Sequence, residues 1–74
     1  MSDTIKFIGE FRKRIDTFMG AIVEVEKFEN AKKTEDNEIV LKAFDVMIQR
    51  KLAEARTAWM DVQELEMKFL SRYD

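Results

Sequence analysis

Residues 35–72 read EDNEIVLKAFDVMIQRKLAEARTAWMDVQELEMKFLSR, with no Pro or Gly in the stretch. Apolar residues recur here at intervals of three and four, which brings them onto one face of a 3.6-residue helix. They are Leu41, Phe44, Ile48, Leu52, Ala55, Trp59, Val62, Phe69 and Tyr73. The spacing predicts one long helix over about residues 35–72, for which the rest of the chain is a packing partner.

A second apolar line runs along the same predicted helix. It repeats every seven residues and consists of Ile39, Val46, Ala53, Met60 and Met67. Because a helix that packs on a single neighbour needs only one apolar stripe, the second line predicts more than one neighbour. Glu66 interrupts the first stripe. It lies either at the solvated edge of that stripe or in a contact with an Arg of another copy.

The first part of the chain has a heptad pattern of its own. Its apolar positions alternate at steps of three and four: Ile8, Phe11, Ile15, Phe18, Ile22 and Val25. Ser2, Asp3 and Thr4, all good N-cap residues, come just before the pattern. We therefore predict a first helix over about residues 4–29, with Gly9 and Gly20 on its outer side.

A short polar connection over residues 30–34 predicts that the two helices form an antiparallel hairpin, with Thr34 or Asp36 capping the second helix. Folding the chain at residue 33 predicts a register across the hairpin. The expected pairs are Val25 with Leu41, Ile22 with Phe44, Phe18 with Ile48, Ile15 with Leu52, Phe11 with Ala55, and Ile8 with Trp59. In this register the second helix extends about ten residues beyond the start of the first.

Such an overhang would leave apolar side chains in water, which soluble monomers avoid. Its residues, together with Met60, form the predicted oligomer interface: Met60, Leu65, Met67, Phe69, Leu70 and Tyr73. Closed symmetric assemblies are the commonest oligomers of soluble proteins. We therefore expect an all-α hairpin that self-associates, as a dimer or larger, into a helical bundle.

The 74 residues of the chain allow one small domain, without a linker or a second domain. A hydrophobic content of 46% is too high for a disordered chain of this charge. No apolar run approaches the ~18 residues that span a bilayer, and residues 1–4 lack the features of a signal peptide. The expected location is the cytoplasm, away from membranes.

The chain contains no His and no Cys. It therefore lacks the usual general base near neutral pH, the thiolate nucleophile and the common transition-metal ligands. The sequence has neither a Gly-rich phosphate loop nor a calcium-binding loop. These absences indicate a protein that is not an enzyme and that has no cofactor or metal.

Four arginines form the one candidate ligand site. The predicted register brings Arg12 and Arg14 beside Arg50 and Arg56, and guanidinium groups suit bidentate capture of phosphate. The alternative is a solvated, salt-bridged surface, because several of these residues have an acidic neighbour four positions away. Those pairs are Arg12 with Asp16, Arg14 with Glu10, and Arg50 with Glu54.

Two functions remain open at this point. The first is a small helical interaction protein, namely an inhibitor, adaptor or assembly factor, that acts as a homo-oligomer and binds another protein. Its form is similar to that of small regulatory or accessory proteins of bacteria and phages. The second is an oligomer that binds or sequesters a nucleotide or another phosphate ligand through the arginine cluster. A net charge of −2 and the absence of a recognition motif argue against nucleic acid as the partner.

Overall fold

The computed structural model describes residues 2–71 as two α-helices that pack against each other as an antiparallel hairpin. Helix α1 spans Ser2–Lys32 and helix α2 spans Glu38–Leu70. The predicted all-α hairpin is confirmed. Compared with the prediction, α1 extends a few residues further and α2 begins a few residues later, so the connection lies at 33–37.

Asn37 caps α2, so the prediction of Thr34 or Asp36 is wrong. The Asn37 side chain accepts hydrogen bonds from the backbone N–H of Ile39 at 2.9 Å and of Val40 at 3.4 Å. Asn is among the best N-cap residues because its side-chain oxygen satisfies backbone donors that the first helical turn leaves open. The cap comes later in the chain than expected because α1 continues through the segment that had been predicted as the connection.

Lys32 is the last residue of α1 and forms a salt bridge to α2. As the basic residue of the last turn it interacts favourably with the helix dipole. Its Nζ donates a hydrogen bond to Oδ1 of Asp45 on α2 at 2.6 Å, and this bond raises the pKa of Lys32. The extension of α1 to this residue is therefore supported by a contact across the hairpin.

Each helix contributes one line of side chains to the seam between them, spaced alternately by three and four as in a coiled coil. On α1 the line is Thr4, Phe7, Phe11, Arg14, Phe18, Ala21, Val25, Phe28 and Lys32. On α2 it is Leu41, Phe44, Ile48, Lys51, Ala55, Ala58, Val62, Leu65 and Phe69. All of these residues are buried or partly buried. The predicted seam residues Ile8, Ile15, Ile22, Leu52 and Trp59 lie one position away, beside the seam.

Aromatic contacts define the register of the hairpin. Ring centroids are 5.4 Å apart for Phe18 and Trp59, and 6.0 Å apart for Phe28 and Phe44. The predicted register, which paired Trp59 with Ile8 and Phe44 with Ile22, is wrong by about six to ten residues of α1, or roughly 9–15 Å. The error arises because the connection lies later in the chain than predicted. In an antiparallel hairpin, moving the fold point by one residue changes the residue opposite any given position by two.

The predicted overhang of α2 is also wrong. Helices of 31 and 33 residues run alongside each other, and the Phe69 ring stacks on the Phe7 ring with centroids 3.9 Å apart. Two of the six predicted interface residues, Leu65 and Phe69, are therefore partly buried within the hairpin. The others that the structure describes, Met60, Met67 and Leu70, are exposed. Tyr73 lies outside the described residues.

The hairpin has a thin core and an extended shape. Among residues 2–71, the buried side chains are Ala21, Ile48, Ala55, Ala58 and Val62, and three of these are alanines. The radius of gyration is 17.0 Å, whereas a compact domain of this length has about 11 Å. Most large apolar side chains consequently keep part of their surface in water.

Candidate interaction surface

The seam divides the hairpin into two flanks. Trp59 contacts Phe18, whereas Arg14 lines a small recess with Asp61. Adjacent residues of a helix are separated by about 100°, so a residue that follows a seam position and one that precedes a seam position lie on opposite sides of the seam line. On α1, Ile15 follows a seam residue and Glu10 precedes one. On α2, Trp59 follows a seam residue and Asp61 precedes one. The side chains near Trp59 therefore form one flank, and those near Asp61 form the other.

The flank that contains Trp59 carries a group of large apolar side chains, which we name the isoleucine face. It consists of Ile8, Ile15, Met19 and Ile22 of α1 and Leu52 and Trp59 of α2. Four exposed polar residues lie among them by the same helical spacing, namely Arg12, Gln49, Arg56 and Gln63. Ile15 and Ile22 are partly buried beside the seam, and the other four apolar side chains are 47% to 51% exposed. Apolar side chains grouped on two adjacent helices in this way are typical of a protein–protein contact surface.

Trp59 connects the isoleucine face to the core. Its ring is tilted by 48° relative to that of Phe18, an arrangement that aromatic pairs favour. The prediction placed Trp59 within the seam, but the structure places it at the seam's edge with 47% of its surface exposed. It is the only Trp of the chain, so its fluorescence reports on this face alone.

The outer side of α2 carries the second predicted apolar line, which we name the outer stripe. It consists of Ile39, Val46, Ala53, Met60 and Met67, and all five are exposed. These positions lie nearly half a turn from the α2 seam line and therefore point away from α1. The outer stripe is separate from the isoleucine face and lies on one helix only.

The flank opposite the isoleucine face is polar, and we name it the polar flank. Nη1 of Arg14 donates a hydrogen bond to Oε2 of Glu10 at 2.7 Å, and this bond is the main reason that the pKa of Glu10 is lowered. Nζ of Lys51 donates to Oε2 of Glu54 at 3.2 Å. Both basic residues belong to the seam lines, and each one is paired with an acid of its own helix.

The structure does not gather the four predicted anion-binding arginines at one place. Arg12 and Arg14 are two residues apart on α1, so they point in nearly opposite directions, and Arg14 is bonded to Glu10. Arg12, Arg50 and Arg56 are exposed. The contacts of Phe44 and Trp59 place Arg50 and Arg56 opposite α1 residues 18–28. That location is on the order of 10 Å or more along the helix axis from Arg12. Anion binding by these residues stays a prediction. The structure does not bring the four arginines together, which is the arrangement on which that prediction depended.

Two recesses lie near the open end of the hairpin, and both are small. The larger has a volume of about 190 Å³ and is lined by apolar and oppositely charged residues, whereas ligand pockets typically have ~300–1,000 Å³. The smaller has about 70 Å³ and is lined by Arg14, Asp61, Glu64, Leu65 and Lys68. Neither recess is large enough to enclose a ligand of ordinary size.

Residues 2–71 contain no group of three or more acidic side chains positioned to hold a metal ion. Neither of the two helices in this range is long and apolar enough to cross a membrane. The surfaces that distinguish this hairpin are thus its two flanks and the outer stripe.

The fold and its surfaces define a class of protein, a helical hairpin with one polar flank and one apolar face. The chain matches no protein-family model, no curated protein and no solved structure.

Proposed function

We propose that this protein is a small, non-enzymatic interaction protein that acts as a homo-oligomer. One observation carries the proposal. The accessible surface of the hairpin is 6140 Å², whereas a globular monomer of 8.8 kDa exposes about 4,800 Å². The excess of roughly 1,300 Å² is larger than the ~800 Å² that each partner buries in a standard interface.

The small core supports the same proposal. A single core in a domain of this size supplies little stability, and small proteins often add a disulfide, a metal or oligomerisation to it. A disulfide is excluded because the chain has no Cys. Association with other copies would bury the large side chains that the hairpin leaves exposed.

Binding of another protein is the role that such an oligomer suits. The outer stripe lies on one helix and includes Met60 and Met67, whose flexible side chains adapt to different partner surfaces. An apolar line on one helix is suited to packing against an amphipathic helix of a partner. The protein would then serve as an inhibitor, an adaptor or an assembly factor.

Sedimentation equilibrium and light scattering on the purified chain test this proposal. We expect a dimer or a larger species at micromolar concentration. We also expect a melting temperature that rises with protein concentration, because association stabilises the folded chain by mass action. A folded monomer of 8.8 kDa whose melting temperature does not depend on concentration would overturn the proposal.

A further inference from the structure

We propose that the isoleucine face binds the same face of a second copy of the chain, so that two hairpins form a four-helix bundle with twofold symmetry. This inference rests on the self-association proposed above and names the surface that produces it. The occupant of the face is thus another copy of the hairpin and not an unrelated protein.

The position of the isoleucine face fits a twofold contact. Its α1 residues extend from Ile8 to Ile22, and Trp59 lies opposite Phe18, so the face is close to the middle of the 31-residue helix α1. In a twofold contact each copy presents the same patch to the other. A patch near the middle allows two hairpins to overlap along most of their length.

The shape of the face also fits a second hairpin. Both helices contribute side chains, so the surface is two helices wide, as each half of a four-helix bundle must be. Ile15 and Ile22 are already partly buried beside the seam, and Trp59 rests on Phe18. Covering this face would therefore extend the existing core, whereas the outer stripe is exposed and points away from α1.

The charges around the face are compatible with self-pairing. Arg12 lies on the same side of α1 as Ile8 and Ile15, and Arg56 lies on the same side of α2 as Leu52, by the three- and four-residue spacing. Two acids border the same face at equivalent spacing, Glu26 on α1 and Glu66 on α2. All four charged residues are exposed. Arg12 lies between Ile8 and Ile15, and Arg56 lies between Leu52 and Trp59, so both arginines are within the face. The two acids lie beyond its ends. Because both signs are present, a second copy would meet opposite charges and not uniform repulsion.

The total exposed surface of the hairpin leaves room for such a contact. The hairpin exposes roughly 1,300 Å² more than a globular monomer of its mass, and a standard interface needs ~800 Å² from each partner. Four large side chains of the face are each about half exposed. One twofold contact through the face leaves the outer stripe free for a different partner.

Matched glutamate substitutions on α2 test the proposal. Leu52 on the isoleucine face and Val46 on the outer stripe are 48% and 50% exposed in the single hairpin. A monomer would therefore tolerate Leu52→Glu and Val46→Glu almost equally. In the proposed dimer Leu52→Glu buries an unpaired charge, and we expect its dissociation constant to rise at least about 30-fold. Val46→Glu should leave the dimer unchanged in sedimentation equilibrium.

A second matched pair repeats the test on α1. Met19 belongs to the isoleucine face and is 51% exposed, while Val23 points away from it and is 45% exposed. We expect Met19→Glu to weaken the dimer and Val23→Glu to leave it intact. Circular dichroism on all four variants shows whether the helices have formed before masses are compared.

Fluorescence of Trp59 in the wild-type chain provides a measurement that needs no variant. Trp59 lies at the proposed contact, so the dimer should show blue-shifted emission that acrylamide quenches poorly. Dilution below the dissociation constant should shift the emission to the red and raise the quenching rate. If the face variants lost their helicity, this measurement alone would decide the question.

Three results would overturn the inference, and two of them would leave self-association standing. In the first, the wild-type chain is an oligomer, and Val46→Glu raises its dissociation constant at least as much as Leu52→Glu does. In the second, the oligomer forms while Trp59 stays as open to acrylamide as in the diluted chain. In the third, the wild-type chain is a monomer throughout, and then the proposed function fails as well.

Discussion

The two flanks of the hairpin belong to the same two helices, yet they differ in how their side chains are satisfied. On the polar flank, Arg14 occupies a seam position and is bonded to Glu10, 2.7 Å away on the same helix. On the isoleucine face, Trp59 and Leu52 are about half exposed, and only part of each is covered by the hairpin. Polar groups are satisfied by a neighbour or by water, whereas apolar surface is stabilised only by removal from water. One flank is therefore complete within a single chain, and the other gains from a partner.

The small residues of the seam determine how closely the helices approach. Ala21, Ala55 and Ala58 are buried where the helices meet. Close packing alternates small residues with large ones, and the seam lines also contain phenylalanines. Ile15, Ile22, Leu52 and Trp59 each directly follow a seam residue, so the helical period places all four beside the seam on one flank.

The largest effect should come from removing Trp59. Because Phe→Ala and Trp→Ala changes in cores cost about 3–5 kcal/mol, Trp59→Ala should cost about 3 kcal/mol per chain when the face is covered by a second copy. Asp61→Ala, two residues away on the polar flank, should cost less than about 0.5 kcal/mol. Urea unfolding followed by circular dichroism measures both. A loss at Trp59 no greater than at Asp61 would mean that the two flanks do not differ in stability.

A slightly smaller effect should come from the seam that separates the flanks. Ala55 is only 3% exposed, so Ala55→Phe should overpack the contact between the helices and cost about 1–3 kcal/mol. The neighbouring substitution Glu54→Phe is on the exposed polar flank and should cost less than about 1 kcal/mol. Denaturant midpoints compare the two variants. If they unfolded at the same midpoint, the close approach of the helices at Ala55 would be refuted.

A stabilising change should come from the two glycines, which belong to neither the seam nor the isoleucine face. No atom lies within 4 Å of a Cβ built at Gly9 or Gly20. Gly9→Ala and Gly20→Ala should each stabilise α1 by roughly 0.5–1 kcal/mol, because Ala loses less backbone entropy on folding. The oligomer mass should not change. Dissociation by either variant would reveal that another copy approaches α1 closely at that glycine.

The smallest effect should come from the ion pair on the polar flank. The hydrogen bond from Arg14 lowers the pKa of Glu10, so the pair stabilises the fold above the ordinary carboxyl range. This contribution is lost as the pH falls through the lowered pKa. Glu10→Gln should therefore reduce the melting temperature slightly at pH 7 and low salt, with no difference from wild type once Glu10 is protonated.

A control on the other flank sharpens this comparison. The destabilisation caused by Trp59→Ala depends on apolar burial and not on a titrating group, so it should persist at high salt, where exposed ion pairs are screened. Melting curves of both variants in low and high salt give the comparison. A strong salt dependence at Trp59 and none at Glu10 would reverse the roles assigned to the two flanks.

The positions that sequence reasoning missed share one cause. Helical periodicity shows which residues lie on the same side of a helix, but neighbouring lines of apolar residues fit the same period. Phe11, Phe18 and Val25 belong to both the predicted and the observed α1 line, while Ile15 and Arg14 compete for the place between them. A pattern based on hydrophobicity assigns Ile15 to the seam position between Phe11 and Phe18. The structure instead places Arg14 in the seam, where it is partly buried and its guanidinium donates a hydrogen bond to Glu10.

The arginine cluster shows how one error propagates. Its four members were grouped only through the predicted register, and that register depended on the position of the connection. The signal that identifies the connection is Asn37, a strong N-cap residue directly before the apolar period of α2. Choosing it over Thr34 moves the fold point, and the opposing pairs move with it.

The sequence by itself determined the two helices, the hairpin, the outward glycines and the outer stripe of α2. Each of these follows from periodicity, residue propensity and the absence of Pro, which act over a few neighbouring residues. The tertiary structure decided the register, the choice of seam line and the division into a polar flank and an isoleucine face. These depend on how Ala21, Ala55 and Ala58 let the helices approach. Close packing between distant parts of a chain is a property of both helices together, so neither helix's pattern specifies it alone.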